Sequence, residues 1–430
     1  MNQAATGLDP RGQQQHGNRL TNALCRNLQI LRIFLPRAAM KKTTRVIALA
    51  VHTVNSFYRG VIRGISRRVH DHADWRVLFV RAQASVSTRR ILSNVDAVIT
   101  HIDQQEWCEF LIRTGIPTVN IDAVLPGLPM PRLNLDDRFI GQMAAEHFSS
   151  RGIRRFGFFG QNDLLFSQER EKAFRAAVQS IGGDLQVFDA RGRQDLGPRT
   201  SLSDTFLRLC DWLRSLEYPI GLLAPWDFWA LEVIEACRQL KLRVPEDVSI
   251  LGVDNDELYC SVSDPSLSSV IVPAEAVGVE AVNQVERLIR ERRTTLEHDI
   301  LLPPIGIATR RSTDFLAIED ADVLAALNFI RDNLHRPIQV PDVLRAVSIS
   351  RRSLERKVWD AVGITLGAVL RRSRLDRAKQ LLVESDLPIT AVSRRTGYTD
   401  LRHIELAFRQ SLGVTPSAFR RNANGISPQT

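Results

Sequence analysis

These 430 residues contain little that supports covalent or redox chemistry. Five cysteines (Cys25, Cys108, Cys210, Cys237, Cys260) are scattered with no CxxC or Cys/His spacing. That pattern excludes a zinc ribbon or a disulfide framework and reads as reduced, mostly buried thiols. No apolar run approaches the roughly 18 residues needed to cross a bilayer. The apolar patch near the N-terminus, Leu28 to Leu35, is short and broken by Arg32, so no signal peptide is expected. The patterns GxGxxG after a strand, GxxxxGK[ST], HExxH and GxSxG are all missing. Ser167 and His147 stand isolated, with no partner pattern for nucleophilic catalysis. No catalytic residue, metal site or cofactor is expected.

What is present is an uneven charge. The total is 57 Lys+Arg against 48 Asp+Glu, a net +9. Residues 321–430 hold 18 against 10, residues 1–45 hold 8 against 1, and residues 46–320 hold 31 against 37. A basic terminal segment suits phosphate contact, because neutralising phosphates releases counterions. The acidic middle argues against that region also gripping nucleic acid.

Residues 1–40 are rich in Gln, Asn, Gly and Arg without periodicity. Segment 1–44 is expected to be a disordered basic tail, or a start placed too far upstream, with Met40 a natural beginning. From Arg45, strands and helices alternate. RVIALAV is a near-continuous apolar run, as a parallel strand buried on both faces requires. WRVLFVR, VDAVITHI and IPTVNID continue the series. NLDDRFIGQMAAEHFSSRG reads as a helix opened by Asp136 or Asp137. A second series follows: RRFGFFG, DLQVFDA, IGLLAPW and VSILGVD as strands between helical stretches, then the long helix AEAVGVEAVNQVERLIRE and a closing extended segment, HDILLPPIGIATRRST. Alternation on this scale predicts an α/β, doubly wound architecture, and two series predict two lobes with a cleft between them.

In such folds ligands sit beyond the carboxyl ends of strands. Strand-end loops here offer Asn55, Phe57 and Tyr58, then Asp163, Phe166 and Arg170, then Trp226, Asp227 and Trp229, then Asp254 and Asn255. Carboxylates, amides and a forked Arg match hydroxyl pairs, and aromatic rings match an apolar C–H face; a small sugar, a pentose over a disaccharide, fits these groups. Asp227 is weighed against a helix cap and Trp229 against a core residue.

The last hundred residues carry a helix-turn-helix pattern written twice. VLRAVSISRRSLERKVWDAVG spans Val343 to Gly363, and VSRRTGYTDLRHIELAFRQSLG spans Val392 to Gly413. Leu354, Val358 and Val362 in the first copy, and Ile404, Phe408 and Leu412 in the second, recur at i, i+4, i+8, one stripe of a helix. The faces opposite, with the turns before them, present Ser350, Arg351, Arg352, Ser353 and Arg356, then Thr399, Asp400, Arg402, His403 and Arg409. These groups suit phosphates and base edges in a major groove.

Arg374-Leu375-Asp376-Arg377-Ala378, Leu381-Leu382, Ile389, Gly397-Tyr398, Phe408-Arg409 and Gly413-Val414-Thr415-Pro416-Ser417-Ala418-Phe419-Arg420 resemble the DNA-binding domain of the AraC family. Two departures are Ser348, where the first turn would carry glycine, and Glu405, an acid beside the second basic face. Upstream, Asn134-Leu135-Asp136-Asp137 through Gly141, Arg155 to Gly160, Arg170 with Ala173-Phe174, and Val244 to Asp254 resemble the LacI/periplasmic-binding-protein sugar-sensing core. The N-terminal helix-turn-helix of LacI-type repressors is missing from that match. The combination resembles the xylose-operon-regulator type, with Ser268–Val270, the ILLPP run at 300–304 and the Thr309–Asp314 joint in keeping.

The resemblance implies a ligand-sensing core at 45–312, a linker at 313–320 and an all-α double helix-turn-helix domain at 321–424. It implies a cytoplasmic activator, a homodimer that binds promoter DNA, responds to a sugar such as xylose and meets RNA polymerase. Arg170 and Asp254 match positions where LacI-like sensors hold sugar hydroxyls. Other readings are a different small ligand, or a sugar-acting enzyme.

Overall fold

The computed structural model describes residues 44–53, 55–190, 204–318 and 320–423. The expected tail therefore lies, up to residue 43, outside them.

Strands β1 (Arg45–Ala50), β2 (Trp75–Phe79), β3 (Ala97–Thr100) and β4 (Thr118–Asn120) form a parallel sheet in the order β2-β1-β3-β4. The apolar run at β1 is explained by its two buried faces. Ile47 and Leu49 enter the large core shared by the two lobes, while Ala48 and Ala50 enter a second core with Trp107 and Leu111. Helix α1 (Ser56–His70) follows β1, α2 (Val86–Leu92) follows β2 and α3 (Gln105–Thr114) follows β3.

The second sheet has six strands in the order β12-β10-β9-β8-β6-β7. They are β6 (Arg155–Gly160), β7 (Leu185–Asp189), β8 (Ile220–Leu223), β9 (Val248–Val253), β10 (Ser268–Ile271) and β12 (Gly306–Ala308). All pair in parallel except β12, which lies antiparallel on β10. Around it lie α4 (Asp137–Ser149), α5 (Leu165–Ser180), α6 (Asp204–Arg214), α7 (Asp227–Leu240) and α8 (Glu257–Val262). Phe148, Phe156, Phe158 and Phe174 are completely enclosed, each stabilising the fold by about 1.5–3 kcal/mol relative to exposure. Helix α9 (Ala274–Glu291) returns to pack on α1.

Between the lobes, β5 (Leu133–Leu135) pairs in parallel with β11 (Ile300–Leu302). The helix that follows opens where expected, with Asp137 as its first residue, and Leu133–Leu135 just ahead of it is taken up by that pairing. Asp136 is its N-cap.

The C-terminal region is all helical: α10 (Ala321–Asp332), α11 (Val340–Val347), α12 (Arg351–Val362), α13 (Leu366–Glu384), α14 (Ile389–Arg395), α15 (Leu401–Leu412) and α16 (Pro416–Ala423). The joint is tighter than a free linker beginning at 313. Ser312 and Thr313 are fully buried, Ser312 Oγ donates to the Ile250 carbonyl at 2.6 Å, and Ala317 N–H donates to the Arg151 carbonyl at 2.7 Å. The first helix-turn-helix has its own core around Val343, Leu354, Val358 and Leu366. The second shares one with the sensing lobe: Ile271, Ile305 and Ala308 pack with Leu375, Leu382, Ile404 and Phe408.

Candidate functional site

Residues past the carboxyl ends of the two sheets come into direct contact. Asp256, one residue past the Asp254–Asn255 turn, holds the lobes together: its Oδ2 accepts from Ser56 N–H at 3.1 Å and pairs with Arg59 Nη2 at 3.0 Å. Phe166 N–H donates to the Ala123 carbonyl at 2.8 Å, a second crossing.

Arg170 lies buried on α5. Its Nε donates to Asp137 Oδ1 at 2.7 Å, Nη1 donates to the Pro225 carbonyl, and its guanidinium sits 5.2 Å from the Phe166 ring. Burial raises the Asp137 carboxyl to about 6, opposed by the Arg170 charge. Asp254 stands at the end of β9 with φ of 108°, a conformation strained for any residue with a Cβ. Burial raises its carboxyl to about 7, again opposed by Arg170 and reinforced by Asp256 and Asp137. Arg170, Asp137 and Asp254 thus act on one another as a charged group at the cleft floor.

Asn55 caps α1, its Oδ1 accepting from Tyr58 N–H at 3.0 Å. Phe57 and Tyr58 are buried in the first turn of that helix. Burial, then Asp122, pushes the Tyr58 hydroxyl well above its usual range. Trp226 is buried with its indole N–H lacking a hydrogen-bond partner. Trp229 is wholly enclosed and belongs to the core.

Asp227 is not at a ligand-facing surface. It is fully enclosed and accepts from Asp256 N–H at 2.7 Å and Ser269 Oγ at 2.5 Å. Gly252 permits this approach, since a Cβ there would meet Asp227 Oδ1 at 2.1 Å. Asp227 is also the first residue of its helix rather than the cap, which is Trp226. Its carboxylate therefore shapes the Asp254–Asp256 turn. Asn255 (φ 52°) turns its Oδ1 toward Arg310 Nη2, 2.9 Å away.

Sequence reasoning missed several cleft groups. Asp137 was read as a helix opener, yet its partner is Arg170. Asp122 is 7% exposed, its Oδ2 has no hydrogen-bond partner, and burial raises its carboxyl to about 6. His52, His101 and Asp103 follow β1 and β3. All but Asp137 lie at strand ends, so the same strand-end criterion applied to every strand would have found them.

In the helical domain both copies adopt helix-turn-helix geometry. Ser350 caps α12 by accepting from Ser353 N–H at 3.2 Å, and Asp400 caps α15 by accepting from His403 N–H at 3.0 Å. Ser348 takes the left-handed conformation (φ 58°) where the second copy uses Gly397 (φ 68°). Arg351, Arg352 and Arg356 are exposed on α12, and Arg402 and Arg409 on α15. Ser353 is half-buried, and Thr399 Oγ1 sits 2.8 Å from His403 Nδ1. His403, Leu406, Ala407 and Gln410 line a cavity of about 1150 Å³ against the sensing lobe, whose walls include Phe139, Met143 and Glu146. No helix among the described residues is long and apolar enough to cross a membrane.

Comparison with known proteins agrees with this anatomy. Residues 145–313 match a periplasmic binding protein-like domain, and residues 343–422 a helix-turn-helix domain. The xylose operon regulatory protein of Escherichia coli K12 is 28% identical over 383 residues, covering 87% of this chain and 96% of that one. The protein of the same name from Haemophilus influenzae is 27% identical, over 87% of this chain and 98% of that one. The solved structure of a xylose-binding transcription activator superposes with a TM-score of 0.57 at 27% identity, covering 89% of this chain and 99% of that one. These relatives are regulators, and this chain is likewise no enzyme. It is a DNA-binding transcription regulator in which a periplasmic-binding-protein-like core is joined to an AraC-type double helix-turn-helix domain, and over most of its length it is similar to xylose operon regulatory proteins.

Proposed function

We propose that a small sugar, a pentose such as xylose, binds between the lobes and sets how the C-terminal domain meets promoter DNA. The observation that carries this reading is the buried Arg170–Asp137 pair on α5 and α4, which acts on Asp254 at the end of β9, with Trp226 N–H and Asp122 Oδ2, past β8 and β4, lacking hydrogen-bond partners. A forked cation and carboxylates take paired hydroxyls, and Phe57, Tyr58, Phe166 and Trp226 take the C–H face. The names of the relatives point to xylose and to activation.

Coupling runs through packing. Ile271 and Ala308, on β10 and β12, share a core with Ile404 and Phe408 of the second reader. A lobe movement at the cleft therefore moves α15 with it, and changes access to the His403 side that lines the cavity. We read Ser350, Arg351, Arg352, Ser353 and Arg356 as contacts of the first reader, and Thr399, Asp400, Arg402, His403 and Arg409 as those of the second. The working unit is a cytoplasmic homodimer that presents four readers to two half-sites and engages RNA polymerase. Sedimentation showing only monomer at micromolar concentration, with sugar and operator present, contradicts the dimer.

The test is a thermal-shift screen of monosaccharides, since a ligand that binds only the folded chain raises its stability by RT ln(1 + [L]/Kd). D-Xylose raising the melting temperature more than hexoses do supports the proposal. No shift with any monosaccharide overturns it.

A further inference from the structure

We propose that His52, His101 and Asp103 form a binding site for one divalent transition-metal ion of the zinc class at the carboxyl ends of β1 and β3. These strands are neighbours in register, with Ala50 opposite Thr100, so the residues that follow them emerge at one sheet edge. His52 Nε2 lies 3.4 Å and His101 Nε2 3.7 Å from Asp103 Oδ2, and donor atoms of all three fall within 4.8 Å of one another. Tetrahedral zinc with ligands at about 2.0–2.2 Å sets donor atoms about 3.3–3.6 Å apart. Small side-chain shifts bring the three onto one ion.

A second observation points to a ligand there. His101 is 2% exposed and its Nε2 has no hydrogen-bond partner. Its Nδ1 lies 2.9 Å from the Ala50 carbonyl oxygen, which can only accept, so the ring proton sits on Nδ1 and the Nε2 lone pair is free. A ligating imidazole is oriented in just this way, by a carbonyl on its other nitrogen. The His52 and His101 rings lie 3.8 Å apart between centroids, tilted by 39°, and both Nε2 atoms approach the same Asp103 oxygen.

Two imidazoles and one carboxylate favour zinc, cobalt or nickel over magnesium or calcium, which prefer all-oxygen shells. The side chains of His52 and Asp103 are 53% and 34% exposed, so an ion enters from solvent and keeps an open coordination position there. Among the described residues this is the one such group of three or more His, Cys, Asp or Glu side chains. The three residues adjoin Tyr58, whose ring lies 5.8 Å from that of His101, whereas Arg170, Asp137 and Asp254 belong to the other lobe.

The experiment titrates the full chain, freed of metal by a chelator, with Co²⁺ and then Zn²⁺. Expected are one equivalent of cobalt with the visible bands of a tetrahedral nitrogen and oxygen site, no sulfur-to-cobalt band, and displacement by zinc. His101→Ala and Asp103→Ala should weaken binding about tenfold or more. His335→Ala, an exposed histidine elsewhere, should change nothing. If the His101 variant fails to fold, as judged by circular dichroism, the half-exposed His52→Gln replaces it with the same expected loss. Absence of saturable binding overturns the proposal, as does binding that these substitutions leave unchanged or a thiolate band.

Discussion

Arg310 Nη2 donates to Asn255 Oδ1 at 2.9 Å, linking the joint below the helical domain to the loop that carries Asp254. The same arginine reaches the Leu267 carbonyl through Nη1, and its backbone exchanges hydrogen bonds with Ser268 Oγ. Ser268 Oγ in turn accepts from Thr313 Oγ1, which also contacts buried His147 at 2.8 Å. Arg310→Met keeps length and removes the link to Asn255. The expected outcome is sugar affinity within about tenfold of the parent, since a lost charged hydrogen bond is worth about 1.5–3 kcal/mol, spread over two loops. The sugar-induced change in DNA affinity should shrink much more. Titrating sugar in the presence and absence of operator measures both; an unaltered DNA response means that Arg310 plays no part in coupling.

Acidity should govern the cleft. The Asp254 carboxyl is raised to about 7 and those of Asp137 and Asp122 to about 6, in each case chiefly by burial. An acid whose folded pKa exceeds its unfolded value holds its proton more tightly when folded. The stability it contributes is full below about pH 4, its unfolded value, and is lost as pH rises through the folded value. The sugar-free chain should thus lose stability from these groups between about pH 4 and 7. Hydroxyl donors favour the ionised carboxylate, so sugar affinity should rise from pH 6 to 8. Asp254→Asn should flatten that rise. Calorimetry across this range checks it, and affinity that falls with rising pH contradicts the assignment.

The two readers should divide the work. Arg351 and Arg356 are exposed on α12 with no ion-pair partner among the described residues, whereas α15 mixes Arg402 with His403 and Glu405. Arg402→Ala should relax base preference by about 1–3 kcal/mol, the worth of a forked guanine contact. Arg351→Ala and Arg356→Ala should weaken operator and scrambled duplex alike and reduce the log–log salt slope by roughly one unit. If Arg402→Ala weakens both duplexes equally, α15 is an anchor instead. Asp400 bears less on this comparison than its sequence position suggested, because its Oδ1 closes the helix end.

Ser348 pays for a left-handed turn (φ 58°) on an exposed site. Glycine meets no such penalty, so Ser348→Gly should stabilise the first helix-turn-helix by about 1 kcal/mol. Amide exchange in the full chain should slow across α11 and α12. Faster exchange there would show that the serine side chain contributes something the turn needs.

Much of this anatomy was legible because the sequence repeats a physical requirement. Parallel strands buried on both faces, such as β1 and β9, give near-continuous apolar runs, and each reader helix needs one buried stripe. Leu133–Leu135 was illegible because three residues set no period, and its partner β11 lies far along the chain. Asp137 looked like a helix opener until Arg170, a helix away, was found beside it. His101 and Asp103 likewise gain meaning only from the register of β1 with β3. Thr313 has ordinary linker composition around it, and its burial comes from contacts with Ser268 and His147.

The central claim is that sugar in the cleft controls DNA binding. It is tested most directly by measuring promoter affinity with and without D-xylose for the parent chain, Arg170→Ala and Asp254→Ala. The parent should change its promoter affinity on adding xylose. Both variants should keep the sugar-free affinity and lose the response, since each leaves sugar hydroxyls or a buried partner unpaired at a cost of about 1–3 kcal/mol or more. A parent affinity indifferent to xylose, or variants that respond as the parent does, would contradict the account.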